Sequence, residues 1–208
     1  MSQASRDLIV RDVASDEAGE WWELKPRVMR AGPSVLVVGP DGVGKTTIVR
    51  RMSELTGIPT FKCPVEKRIF REGGRSSLAF DYMLTHFLQQ TGYRFISDRA
   101  YPCEWVYSRV FGRETDPDLL NRIDEAHANL GTIILYLQSS VLPAHEDDLV
   151  PPDRYWEVRE TYEGFMAWTA CRVVRYDTSR SLHLTGASRV DFDAAQCLAL
   201  LDEKELVL

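Results

Sequence analysis

The sequence predicts an α/β protein in which a five-stranded parallel sheet carries helices on both faces, and three observations lead there. Short apolar runs rich in β-branched residues alternate with stretches of helical periodicity, each long enough to cross between parallel strands. The first run, Ser34-Val35-Leu36-Val37-Val38, leads without a break into Gly39-Pro40-Asp41-Gly42-Val43-Gly44-Lys45-Thr46, a full match to G-x-x-x-x-G-K-S/T. Directly after it, the stretch from Thr47 to Leu55 places Ile48, Met52 and Leu55 on one helical face. Strand, glycine loop and helix in that order make a phosphate cradle. Glycines let backbone N–H groups converge on an anion, and the helix N-terminus adds positive potential. Lys45 would reach the β- and γ-phosphates of a nucleoside triphosphate, and the Thr46 hydroxyl would hold Mg²⁺.

The remaining elements follow in turn. Gly57 and Pro59 mark a turn, and Pro59 to Lys62 reads as a second short strand. Cys63 to Ser76 is a mixed-charge, glycine-containing loop, and a helix runs from Leu78 to Gln90 with Gly92 ending it. Tyr93 to Ser97 is the third strand and runs straight into Asp98-Arg99. Pro102 opens a helix through Phe111, closed by Gly112, and Asp116-Pro117 pairs an N-cap with a first-turn proline for a helix to Asn129. Thr132 to Leu137 is a fourth, buried strand. Gln138 to Asp153, with three prolines and Glu146-Asp147-Asp148, is too long and polar for a simple connection and reads as a lid over about 138–154. A helix from Tyr155 to Thr169, a strand from Arg172 to Tyr176 and a last helix capped by Asp193 complete the pattern.

At 208 residues the chain fits one domain over 31–208, preceded by an N-terminal elaboration over 1–30 that contains Trp21 and Trp22. Adjacent tryptophans cannot share one side of a helix, so one is expected at an edge or a subunit contact, and a homodimer is a candidate assembly. A formal net charge of −6 argues against a surface built for duplex nucleic acid, and no stable nucleic-acid binding is expected. No apolar stretch approaches membrane-spanning length, and no signal-peptide layout opens the chain, so a cytoplasmic protein with four reduced thiols is expected. Cys63, Cys103, Cys171 and Cys197 form no C-x-x-C pair and the four histidines are scattered, which gives a zinc site no support.

In a parallel sheet, ligands bind beyond the carboxyl ends of the strands. That rule brings the loop after Val38, the loop after Lys62 and Asp98-Arg99 into one crevice. Asp98 at a strand end suits a Mg²⁺-organising acid, while Arg99 beside it suits bidentate recognition of a second phosphate. Acid and base together point to a phosphate acceptor as well as a donor.

These residues resemble the thymidylate kinases, within the wider P-loop group of nucleoside and nucleotide kinases. Gly39 to Thr47 matches that family's G-x-D/E-G-x-G-K-S/T-T loop. Asp98-Arg99-Ala100-Tyr101-Pro102-Cys103 and Glu104-Trp105-Val106-Tyr107-Ser108 stand where the family has Asp-Arg-Tyr-x-x-Ser and Ala-Tyr-Gln. The resemblance implies a P-loop kinase fold with a lid, ATP as phosphoryl donor with Mg²⁺, and a deoxynucleoside monophosphate such as dTMP as acceptor. It implies that Gly39, Pro40, Asp41, Gly42, Val43, Gly44, Lys45, Thr46 and Thr47 bind ATP, with Thr46 and Asp98 at the metal. Asp41 would contact the substrate sugar, Arg99 would grip the acceptor phosphate, and Tyr107 would crowd the 2′-position. Ala100 and Cys103 depart from the family's Tyr and Ser, and Lys62-Cys63-Pro64 stands in place of Arg-Glu-Pro. No arginine occupies the usual place near Ser77, for which Arg75 or Arg71 is a substitute, and Phe80 is a candidate to stack on the base or to fill the core.

Arg154 and Arg159 lie at the C-terminal side of the lid, near the start of the helix from Tyr155. They are read either as charge for the moving phosphoryl group or as helix arginines paired with Glu157, Glu160 or Glu163. Arg109 and Arg113 are further candidates of the same kind. Three other readings stay open. A deoxynucleoside kinase acting on a 5′-hydroxyl would need an acidic base, where Cys63 stands with Glu66 nearby. A kinase acting on DNA ends or a modified base is opposed by the acidic charge balance. A nucleotide-binding switch is opposed by the lack of an Asn-Lys-x-Asp motif.

Overall fold

A computed structural model describes residues 32–62, 75–142 and 151–201. The sheet is built from β1 (Val35–Val38), β2 (Thr60–Lys62), β3 (Ile96–Asp98), β4 (Ile133–Gln138) and β5 (Arg172–Asp177). Around it lie α1 (Lys45–Thr56), α2 (Arg75–Thr91), α3 (Tyr101–Phe111), α4 (Pro117–Asn129), α5 (Tyr155–Trp168) and α6 (Gly186–Leu201). Short 3₁₀ turns stand at Pro152–Arg154 and Thr178–Ser181. The expected N-terminal elaboration with Trp21 and Trp22, Arg71, Cys63 and residues 143–150 of the expected lid lie outside the described residues, as does the side chain of Arg75.

All strand pairs are parallel, in the order β2-β3-β1-β4-β5. Only the crossover from β1 to β2 runs toward the β2 edge; every later one runs the other way. Because parallel crossovers are right-handed, that single reversal puts α1 on one face and α2 to α5 on the other. Packing bears this out. Val35 and Val37 meet Ile48, Val49 and Met52 of α1 and Ala194, Cys197 and Leu201 of α6 in one buried cluster. Leu36 and Val38 join Leu78, Val106, Ile123, Val158 and Phe165 in the cluster on the opposite face. The uninterrupted apolar run of β1 follows from burial on both sides.

Local signals place several boundaries. Asp116 caps α4, accepting from the Leu119 N–H at 3.0 Å, with Pro117 in the first turn. Helix α3 starts differently. Its N-cap is Ala100, which has no side chain to offer, and the Asp81 carboxyl of α2 accepts from the Tyr101 N–H instead. The Tyr101 hydroxyl donates to Asp124 at 2.6 Å, and Asp124 also accepts from the Thr169 hydroxyl and from the Ala170 N–H at 2.8 Å. The start of α3 is thereby tied to α4 and to the loop before β5.

Two expectations need correction. Regular pairing in the third strand covers Ile96–Asp98 and not Tyr93 to Ser97, because β1 offers it only Val35 to Val37. Asp193 does not cap the last helix, which begins at Gly186. It lies inside α6, buried, and accepts from the Tyr176 hydroxyl at 2.6 Å and the Ser181 hydroxyl at 2.9 Å.

Burial pushes the Asp81 carboxyl up to about 8, with the neighbouring Glu104 adding to the rise against the Tyr101 N–H. The folded chain therefore holds a proton that the unfolded chain releases near pH ~3.9. The stability linked to that proton is full below this value and is lost as pH rises through about 8. Asp81→Asn keeps an acceptor for Tyr101 and has no such proton. Urea unfolding at pH 5 and pH 9 should show wild type losing more stability over that interval than Asp81→Asn does. Equal losses would mean that Asp81 is ionised in the fold.

Candidate functional site

The P-loop leaves β1 at Gly39, whose backbone passes against β4. A Cβ there would sit 2.0 Å from the Leu137 carbonyl oxygen, so only glycine fits. Gly44, at φ 86°, turns the chain into α1 without a side-chain cap, and no acidic residue stands in the helix's first turn. Its N–H groups remain available to an anion. The buried Lys45 ammonium donates to the Gly39 carbonyl at 2.9 Å and the Pro40 carbonyl at 2.6 Å. Burial, with some help from Arg99, lowers its pKa, although Asp41 works against the shift.

The Asp41 carboxylate accepts from three side chains. Lys45 Nζ lies 3.4 Å from Oδ1, the Arg99 guanidinium bonds the same oxygen, and the Tyr107 hydroxyl donates to Oδ2 at 3.1 Å. Burial raises the Asp41 pKa, but Lys45 and Arg99 outweigh it and the net shift is downward. Arg99 shifts the other way: burial would lower its pKa, and Asp41 together with Tyr107, Cys103 and Tyr162 more than offsets that. Tyr107 is buried and its phenol is held neutral, first by burial and then by Asp41.

Arg99 is the one non-glycine residue with positive φ among the described residues, at 71°. Its N–H donates to the Val37 carbonyl at 3.1 Å, and its carbonyl accepts from the Ser97 hydroxyl. Neighbouring strands thus impose a conformation that an arginine would not choose, and the result points its guanidinium at the P-loop.

At the end of β3, Asp98 Oδ2 accepts from the Thr46 hydroxyl at 2.7 Å and lies 3.4 Å from Lys62 Nζ. Asp98 Oδ1 is buried without a hydrogen-bond partner. A hydroxyl and a carboxylate with a spare oxygen are hard donors that suit Mg²⁺. The residues present therefore fit the ion expected from the sequence.

Other candidates are placed elsewhere. Arg154 pairs with Glu157, donates to the Val110 carbonyl at the end of α3 and lies over the Phe111 ring at 4.9 Å. Arg159 lies 5.5 Å from the centre of the Trp156 ring. Arg109 covers the Trp105 ring at 3.5 Å, and Arg113 bonds the buried Glu104 at 3.1 Å. Phe80 stacks on Phe61 at 5.4 Å. The structure thus gathers Asp41, Lys45, Thr46, Asp98, Arg99 and Tyr107, and adds Lys62, which the sequence marked only as a departure from a familiar motif.

No protein-family model and no curated protein matches the chain. Solved structures do. The YorR protein from Bacillus subtilis, in complex with phosphorylated GDP, is 16% identical with a TM-score of 0.58, over 80% of this chain and 95% of that one. A thymidylate kinase from Candida albicans is 16% identical with a TM-score of 0.54, over 83% and 92%. A deoxyadenosine kinase from M. mycoides with bound dCTP is 19% identical with a TM-score of 0.50, over 80% and 99%. At these identities the likeness is one of fold, and the chain has the fold of the P-loop kinases.

Asp41→Asn should destabilise the protein by about 3 kcal/mol, because it leaves two cations facing a neutral amide. Tyr107→Phe, which removes one hydrogen bond, should cost about 1 kcal/mol. Since Asp41 holds its proton less tightly folded than unfolded, its contribution is present above pH ~3.9 and is lost as pH falls through the folded value. Urea titrations of both variants at pH 7 check the ranking. Equal costs would show that the charge on Asp41 does no more than a neutral acceptor.

Proposed function

We propose that the chain is an ATP- and Mg²⁺-dependent nucleotide kinase that moves the γ-phosphoryl group to a deoxynucleoside monophosphate, dTMP or a relative. The observation that carries this reading is Arg99. A strained arginine beside a phosphate cradle, with its guanidinium partly exposed at the mouth, is placed to take a second phosphate. Lys45 would meet the donor's β- and γ-phosphates, and Thr46 with Asp98 would hold the metal. Mg²⁺, when bound, neutralises charge on the phosphates. Asp41 and Tyr107 form the wall on the sugar side. Both carboxylates at the mouth, Asp41 and Asp98, are engaged by cations, which suits an acceptor that needs no proton removed. Catalysis then rests on positioning and charge, with the lid arginines, Arg154 and Arg159, as candidates to close over the donor. The acceptor is a small molecule, and the cytoplasm is the expected site of action.

A panel of nucleosides and nucleoside monophosphates with ATP·Mg²⁺ tests the reading. Transfer to a monophosphate should be abolished in Lys45→Ala without loss of fold. Arg99→Ala should raise KM for the monophosphate by about thirtyfold or more, corresponding to ~2–4 kcal/mol, with KM for ATP nearly unchanged. Transfer to nucleosides alone would replace the reading with a 5′-hydroxyl kinase.

Tyr107 generates a separate expectation. A rigid buried ring bonded to Asp41 leaves a ribose 2′-hydroxyl neither room nor partner, so deoxyribonucleotides should be preferred. The ratio of kcat/KM for a deoxyribonucleotide and its ribo counterpart should fall in Tyr107→Ala and hardly move in Tyr107→Phe. An unchanged ratio in folded Tyr107→Ala would leave Tyr107 with a packing role only.

A further inference from the structure

β2 ends at Lys62 and β3 ends at Asp98, and their parallel register sets these last residues side by side. Lys62 Nζ stands 3.4 Å from Asp98 Oδ2, the oxygen that Thr46 also bonds. The Lys62 side chain is 63% exposed, so the contact adds little to stability. A position at the mouth of the crevice, held by strand pairing and open to solvent, is available for binding.

The strand order gives this lysine its meaning. From β1 toward the β2 edge, the C-terminal ends of the strands present Lys45, then Arg99, then Lys62. Donor phosphates on the P-loop lie over β1. An acceptor that approaches the γ-phosphoryl group over β3 and β2 meets the Arg99 guanidinium and the Lys62 ammonium together. Toward the other edge, the chain leaves β4 with Ser139 and Ser140 and ends β5 on Asp177, whose carboxylate accepts from the Ser140 and Ser179 N–H groups.

We propose that Lys62 grips the acceptor's phosphate and, with Arg99, defines the acceptor as a phosphate monoester dianion. The inference rests on the monophosphate kinase reading and adds the residue that selects the acceptor. In the step it serves, an acceptor phosphate oxygen forms the bond to the γ-phosphorus. The bond from that phosphorus to the β-bridging oxygen breaks, and ADP leaves with the electron pair. A phosphate monoester has its second pKa near ~6, so at neutral pH its attacking oxygen carries no proton to remove. An ammonium suits that chemistry and cannot serve as the base that a hydroxyl acceptor requires.

Lys62→Met and Lys62→Arg, made in the full chain, test the assignment with dTMP, dCMP, dAMP and dGMP as acceptors. Lys62→Met should raise KM for the accepted monophosphate about tenfold or more, leave KM for ATP within about twofold and leave the melting temperature unchanged. Lys62→Arg should recover most of the loss, which a purely structural role would not predict. Wild-type transfer to a monophosphate with an unaltered KM in Lys62→Met overturns the role of Lys62 and leaves the kinase reading standing. A variant altered only in its Mg²⁺ dependence overturns it too, by assigning Lys62 to the tuning of Asp98. Wild-type transfer to nucleosides alone overturns both.

Discussion

Asp41 accepts hydrogen bonds from a lysine at the start of α1, an arginine at the end of β3 and a tyrosine two turns into α3. One carboxylate thus holds together three elements that the chain brings in from separate crossovers. Its charge is what makes the arrangement tolerable. Two cations brought close together in a partly desolvated crevice repel each other, and a buried anion between them turns that repulsion into attraction. Tyr107 contributes a neutral donor to the other oxygen, which fixes the plane of the carboxylate. The groups proposed to bind phosphate are therefore arranged around a side chain that carries phosphate's own sign of charge.

The placement of that carboxylate follows from topology. A single reversal of direction at β1 sends α1, joined there by α6, to one face and α2 to α5 to the other. The loop after β1 then emerges where both layers end, with the ends of β3 and β4 on either side of it. Asp98 and Arg99 reach the crevice because β3 is inserted between β1 and β2. The catalytic candidates are spread through the sequence and meet only because of strand order.

Much of this was legible in the residues themselves, and the reason is locality. The apolar run of β1, the glycine loop and the face of α1 lie within some two dozen consecutive positions, and each constrains its neighbours. Asp116-Pro117 was equally readable, since a helix cap is made by residues three apart. Asp193 was misread for the opposite reason. Its partners, Tyr176 and Ser181, come from β5 and the turn beyond it, and no spacing rule connects them to a residue in mid-helix. Lys62 stood out only as a mismatch to a known motif, because its proximity to Asp98 is set by register between two strands. Phe80 could be recognised as a stacking residue, but its partner Phe61 lies on β2, across a long connection. Arg154 was placed near the crevice by its position after the lid, while its contact with the last turn of α3 belongs to tertiary packing alone.

The passage of Gly39 across the Leu137 carbonyl has an evolutionary side. The spacing between the phosphate cradle and β4 is set by main chain against main chain, so it does not depend on which apolar side chains β4 carries. Leu135 and Leu137 can drift among residues of similar volume, because such exchanges act on the layer packed with α1 and α6. An insertion or deletion within β4 is another matter. It would put a different peptide unit under Gly39 and shift the cradle directly. A loop held in this way tolerates a change of side chains in the central strand far better than a change in that strand's length.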